Sequence, residues 1–275
     1  ISACLVGSEM CIRDRCSSFD CTHLTKFAVR KNGQFFGALV LFAGVWYNVR
    51  EKSSQEVAAM TEMNTAPQLA PRERCTGCAA CCNGCPKGAI RMVPDREGFL
   101  YPQVTDGCVQ CGHCTHICPV LKQREPRTEP AAFIVWNGDE AVRRNSTAGG
   151  AFSALAEYVL EGGGVVFGAA LDNDLRVSHI AVKNRHDLPQ LRGSKPVQSD
   201  VGESYQQVRL YLDQGRQVLF SGTPCQVDGL YRYLGEHPER LITCDVACSG
   251  VGSPGVWEKF VRSMAYIKQQ KPLSV

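Results

Sequence analysis

The chain has no apolar run long enough to cross a membrane. Its longest, 35-FFGALVLFAGVWY-47, is thirteen residues, against the roughly 20 that a spanning helix needs. Lys26, Arg30 and Lys31 precede it, as in a signal peptide, but no targeting or spanning segment is expected. An excess of one charge is also missing. Thirty basic residues against 27 acidic ones leave a formal net charge of +3. That argues against nucleic acid or an anionic membrane surface as a partner. With 275 residues, 44% apolar and 21% charged, the chain has a globular composition and room for more than one domain.

Cysteine is what the chain has in excess. There are sixteen, and 75-CTGCAACCNGCPKG-88 packs five of them into fourteen residues. The clustering argues against a disulfide framework, which spaces its cysteines over loops. Thiolates are soft ligands that suit iron, zinc and copper. A zinc pair would read two plus two, and zinc stands as the alternative metal. Here Cys75, Cys78 and Cys81 step by three, Cys85 follows after four, and Pro86 closes the run. The run 108-CVQCGHCTHICP-119 repeats the pattern with Cys108, Cys111, Cys114, Cys118 and Pro119. This is the spacing of bacterial ferredoxins, whose fourth cysteine ligates the other cluster. It predicts two [4Fe-4S] clusters. Cys75, Cys78, Cys81 and Cys118 hold one, and Cys108, Cys111, Cys114 and Cys85 the other. Gly77 and Gly112 would let the loops turn tightly and aim their amide groups at the cluster sulfurs. Cys82 reads as a small packed residue, and His113 and His116 as solvated loop residues.

Four segments follow. Residues 1–65 lack periodicity apart from the apolar run and read as a leader, disordered or artefactual. The stretch 4-CLVGSEMCIRDR-15 resembles translated adaptor sequence, and Met60 or Met63 is the expected start. Cys4, Cys11, Cys16 and Cys21 are then expected to carry no chemistry. Residues 66–121 form the two-cluster domain, and 122–132, charged and proline-bearing, a linker. Residues 133–275 alternate strand and helix. Strands are expected at 132–136, 165–171, 176–182, 217–222 and 241–247. Helices are expected from about Thr147 to Gly162, at 203–215, from the 222-GTPCQ-226 turn to about Leu234, and from Pro254 onward. The expected fold class is an α+β ferredoxin-like two-cluster domain followed by an α/β domain with a largely parallel sheet.

Several motifs stand at the strand–helix joints: 146-STAGGAFS-153, 192-RGSKPVQS-199, 221-SGTPCQVDGL-230 and 245-DVACSGVGSP-254. With the double cysteine run and 97-EGFLYP-102, they resemble the coenzyme F-420 hydrogenase/dehydrogenase beta-subunit family over roughly residues 73–270. The resemblance implies an iron–sulfur flavoprotein oxidoreductase of the cytoplasm. FAD would bind in the α/β domain, and electrons would pass between the clusters, the flavin and a small-molecule hydride acceptor or donor such as coenzyme F-420. A redox partner protein is the alternative destination. The chain departs from the family at Pro196, where an aromatic residue is frequent, and at Ser249, where histidine is common. The family domain usually continues beyond 271-KPLSV-275, so a C-terminal truncation is expected.

The residues agree with this as far as they reach. Thr223 with Pro224, and Ser253 with Pro254, have the form of helix starts. Such ends offer free N–H groups and partial positive charge to a pyrophosphate. Ser146, Gly149, Gly150, Gly222, Thr223, Pro224 and Gln226 are the candidate cofactor-binding residues at these ends. Arg192, Gly193, Ser194 and Lys195 join them as a loop able to meet a flavin phosphate or reduced flavin. Cys225, Cys248 and Lys195 are the candidate catalytic residues, Cys225 because a helix start favours the thiolate. Cys225 and Cys248 are expected on the carboxyl edge of the sheet, facing the clusters. Cys244, inside its strand, reads as core.

Overall fold

A computed structural model describes residues 2–5, 67–122 and 133–268. Leader residues 1 and 6–65, with Cys11, Cys16, Cys21 and the apolar run, lie outside the described residues, as do residue 66, linker residues 123–132 and residues 269–275.

In the cysteine-rich part, strands β2 (Ile90–Pro94) and β3 (Leu100–Val104) pair antiparallel. One-turn helices α1 (Ala80–Asn83) and α2 (His113–His116) carry the third cysteine of each run. Beyond the linker come α3 (Glu140–Arg144), α4 (Ala151–Glu161), β4 (Val165–Leu171), β5 (Val177–Val182) and a 3-10 turn at Leu188–Leu191. Then follow α5 (Ser204–Asp213), β6 (Val218–Gly222), α6 (Pro224–Leu234), β7 (Leu241–Val246) and α7 (Pro254–Lys268).

The main sheet has the order β1-β7-β6-β4-β5, where β1 is Ser2–Leu5. Strands β1, β7, β6 and β4 run parallel, and β5 returns antiparallel beside β4. The sheet is therefore mixed, with parallel pairs dominating. Central strand β6 is buried at every residue, as a strand covered on both faces must be. Val165, Phe167, Val218 and Phe220 point to one face, where Val208 of α5 and Leu230 and Leu234 of α6 cover them. Val166 and Leu219 point to the other, under Leu155, Val159 and Leu160 of α4. Helices thus flank the sheet on both sides. The cysteine-rich part joins the first layer, since Cys78, Ala79 and Ala80 pack in the same cluster as Phe220 and Leu230.

Three expectations need correction. Residues 133–136 form no strand, and Phe133 and Ile134 are exposed at 62% and 63%. Among the described residues no strand pairs with residues 133–136, and the Asn137 N–H donates to the Gly149 carbonyl at 2.7 Å. The helix expected from about Thr147 starts at Ala151. Gly150 before it has a φ of 75°, a left-handed conformation that no helix continues through. The leader, expected without a strand, supplies β1. It lies along the otherwise open edge of β7, with Cys4 opposite Asp245.

Candidate iron–sulfur site

The two cysteine runs fold alike, position for position. In the first, Gly77 and Ala79 take φ values of 66° and 60°; in the second, Gln110 and Gly112 take 57° and 70°. Alternating left- and right-handed residues turn successive N–H groups into one concavity, a nest suited to an anion or a sulfur cluster. The amides do meet sulfur. Ala89 N–H donates to Cys85 Sγ at 3.3 Å and Gln110 N–H to Cys108 Sγ at 3.4 Å. Gly77 and Ala80 serve Cys75 and Cys78 in the same way.

Cys75, Cys78, Cys81 and Cys118 line one cavity, closed by Leu69, Met92, Pro102 and Pro119. Cys118 thus joins the first three although it lies in the second run. Cys114 also reaches this wall. Burial pushes the Cys78 thiol up to about 12 and raises Cys75 and Cys81 as well, and the charges of neighbouring cysteines add to the rise. Thiolates gathered in so apolar a place need a cationic centre between them. Among the described residues no three His, Cys, Asp or Glu side chains surround a single-ion position. A four-iron cube asks for a different layout, because its four thiolates go to four different irons. Nest, cavity and donor set therefore suit an iron–sulfur cluster.

Residues 74–121 match the family described as 4Fe-4S dicluster domain. They are a ferredoxin-type iron–sulfur domain. The chain is also 35% identical over 51 residues to an uncharacterized ferredoxin of Methanocaldococcus jannaschii. That stretch is 18% of this chain and 66% of the relative, so the likeness concerns this domain and spans just under two thirds of the relative. The chain has an iron–sulfur electron-transfer domain followed by an α/β region.

The α/β region holds the first run closely. The Tyr205 hydroxyl, fully buried in α5, lies 2.8 Å from the Cys78 carbonyl and 2.7 Å from the Gln226 carbonyl. Its one proton serves either acceptor. Gly229 lets α6 approach, since a Cβ there would sit 3.3 Å from Cys78 Sγ and 2.9 Å from the Tyr205 hydroxyl. Asn83 Nδ2 donates to the Gly202 carbonyl at 2.9 Å, and Leu100 N–H to Gln198 Oε1 at 2.9 Å. Tyr205, Gly229 and Asn83 were not among the sequence candidates. Only Gly229, a helix-interior glycine, carries a signal that could have found it.

Cys225 stands in the first turn of α6, one turn before Gly229 on the same helix face. It packs against the core cluster that contains Cys78, and its charge bears on Cys75 and Cys78. Its Sγ lies 3.1 Å from Thr223 Oγ1. Pro224 is the first residue of α6, and Gly222 ends β6, so this turn lies on the carboxyl edge of the sheet. Cys248 follows β7 and is exposed, and Cys244 is fully buried.

The remaining candidates are mostly engaged within the protein. The Lys195 ammonium donates to the carbonyls of Gln190, Arg192 and Gly193 at 3.2, 2.6 and 3.1 Å. Those are all the N–H groups it has, and burial lowers it to about 8. Arg192 Nε donates to Ser153 Oγ at 3.0 Å, with Glu157 at 3.7 Å. Gly193 and Ser194 are exposed between them. Ser146 Oγ donates to the Val142 carbonyl at 2.7 Å. Gln226 is buried, and its Oε1 accepts from the Thr223 N–H at 3.0 Å. Gly149 and Gly150 lead into α4, and the tight turn at 162–164 runs that helix back along β4. Its start therefore also lies at the carboxyl edge. Cys82 Sγ donates to the Ile90 carbonyl at 3.1 Å, a packing role.

Proposed function

We propose that this chain is an iron–sulfur flavoprotein oxidoreductase in which the ferredoxin-type domain exchanges electrons with a redox group at the carboxyl edge of the α/β sheet. Cys75, Cys78, Cys81 and Cys118 ligate the inner cluster, and Cys108, Cys111, Cys114 and Cys85 the outer one. The observation that carries the reading is the joint at Tyr205. One buried hydroxyl bridges the Cys78 loop and the first turn of α6, so the inner ligands and the sheet edge are held as one piece. Clusters carry single electrons, and FAD at that edge would convert them to a hydride for coenzyme F-420 or another reducible compound.

The residues fit a flavin in part. The first-turn N–H groups of α4, after Gly150, are donors a pyrophosphate would take. At the α6 start Pro224 has no N–H and the Gln226 N–H is taken by Thr223, which leaves the Cys225 N–H. Thr223 and Pro224 fix the α6 start, and Cys225 lies between it and the inner cysteines. Lys195 and Arg192 act instead as braces that tie the loop 190–195 to itself and to α4. This favours a second reading, an electron-transfer subunit that docks to a separate catalytic protein.

Anaerobic purification of the full chain with extraction of its cofactors decides between them. The first reading expects FAD with the iron, and reduction of a deazaflavin by the chain alone. Iron with cluster redox activity but no flavin leaves the second, and a colourless zinc protein overturns both.

A further inference from the structure

His179 lies on β5, buried, with its ring stacked on Phe220 at 5.2 Å between centroids. Its Nε2 is 3.1 Å from the Ser221 carbonyl, and its Nδ1 is 3.1 Å from Ser199 Oγ. A carbonyl only accepts, so Nε2 carries the proton and Nδ1 accepts from the Ser199 hydroxyl. With its own proton given to His179, Ser199 Oγ accepts from Gln226 Nε2 at 2.9 Å. The Gln226 amide is then oriented, and its Oε1 faces Thr223, taking the backbone N–H at 3.0 Å and the hydroxyl at 3.1 Å. Thr223 Oγ1 lies 3.1 Å from Cys225 Sγ. Donor and acceptor accounting runs one way through every link. The chain joins β5, the end of β6, the 192–199 motif and the first turn of α6. Gln226 belongs to that turn, and its backbone carbonyl meets Tyr205, which also reaches Cys78.

We propose that His179 is a positioning residue: through Ser199, Gln226 and Thr223 it fixes the 222–226 turn and so holds Cys225 against the inner cysteine set. The inference rests on reading Cys75, Cys78, Cys81 and Cys118 as iron ligands. An apolar residue stacked on Phe220 would fill the space but leave the buried Ser199 hydroxyl without its acceptor. A directed chain that ends at a thiol is served only by a group that donates on one side and accepts on the other.

The test uses the full chain, purified anaerobically with its clusters. H179F keeps the stack and removes both hydrogen bonds, and S199A breaks the next link with little change of volume. H179Q offers an amide donor and acceptor in place of the imidazole nitrogens. Two readouts are taken, the alkylation rate of Cys225 by iodoacetamide relative to Cys248 and the EPR spectrum of the reduced clusters. The expected result is about fivefold faster Cys225 labelling in H179F and S199A, the equilibrium equivalent of one hydrogen bond. One of the two cluster signals changes and the other does not, and H179Q restores both readouts toward wild type. A lower melting temperature with unchanged labelling and EPR would make His179 merely structural and overturn the proposal. If wild type shows no iron, the ligand reading falls, while labelling still reports whether His179 holds the turn. Should H179F fail to fold, S199A decides by the same measures.

Discussion

The two cysteine runs share a spacing, a backbone conformation and a proline stop, yet they sit in different surroundings. Cys78 is 9% exposed and packs with Phe220 and Leu230, whereas Cys111, its counterpart, is exposed. Ala80 is buried in the α/β core, while its counterpart His113 is half-buried. Local sequence sets the nest, and tertiary packing decides which nest faces water. On the proposed reading, the difference gives the relay two unlike ends, an outer one open to a donor in solution and an inner one built into the α/β layer.

The largest expected effect separates the runs outright. Cys78→Ala removes a buried proposed ligand and opens a hole in the core, whereas Cys111→Ala removes an exposed proposed ligand. Each loses about four of eight irons by ferredoxin stoichiometry, but Cys78→Ala also costs roughly 2–4 kcal/mol of stability in a urea melt through lost packing. Equal melts for both would erase the distinction. Next comes Gly229→Ala. Its Cβ would press on Tyr205 and Cys78, which costs about 1–3 kcal/mol and disturbs the inner cluster's EPR signal alone. Tyr205→Phe leaves two carbonyls with no shared donor, for a loss of about 1–2 kcal/mol. Cys78 alkylation after iron removal should then speed up relative to Cys111.

The pH effect is smaller. Burial lowers His179 from 6.5 to about 4, while the nearby Asp200 charge and the Ser221 carbonyl act the other way. A histidine depressed in the folded state binds its proton more readily when unfolded. Its contribution is therefore complete above the unfolded value near 6.5 and is lost as pH falls toward about 4. Between pH 8 and pH 5.5 this amounts to roughly 1 kcal/mol. Parallel urea titrations of wild type and H179Q read it as a difference in slope, and identical slopes would place the titration elsewhere.

Much of this was legible in the sequence. From Val165 to Pro254 each expected strand and helix is present within two residues, because apolar runs end at Gly, Pro and Thr with clear capping chemistry. Local signals misled where neighbours decide. The run at 133–136 is β-branched and aromatic, yet among the described residues no strand pairs with it. Helix α3 was passed over although Asp139 caps it, accepting from Ala141 and Val142. Lys195 and Arg192 read as phosphate donors because their charge is visible and their acceptors are not. Tyr205, Gly229 and His179 act through contacts far along the chain, 127 residues between Tyr205 and Cys78. No periodicity announces such a pairing.

Iron release to a chelator under mild oxidation tests the inequality of the two runs most directly. The measurement is made anaerobically on wild type, Cys78→Ala and Cys111→Ala. Two phases are expected for wild type, each about half of the iron. Cys111→Ala should lack the fast phase and Cys78→Ala the slow one. A single phase in wild type, or the reverse assignment in the variants, would contradict an inner cluster sheltered by the α/β layer.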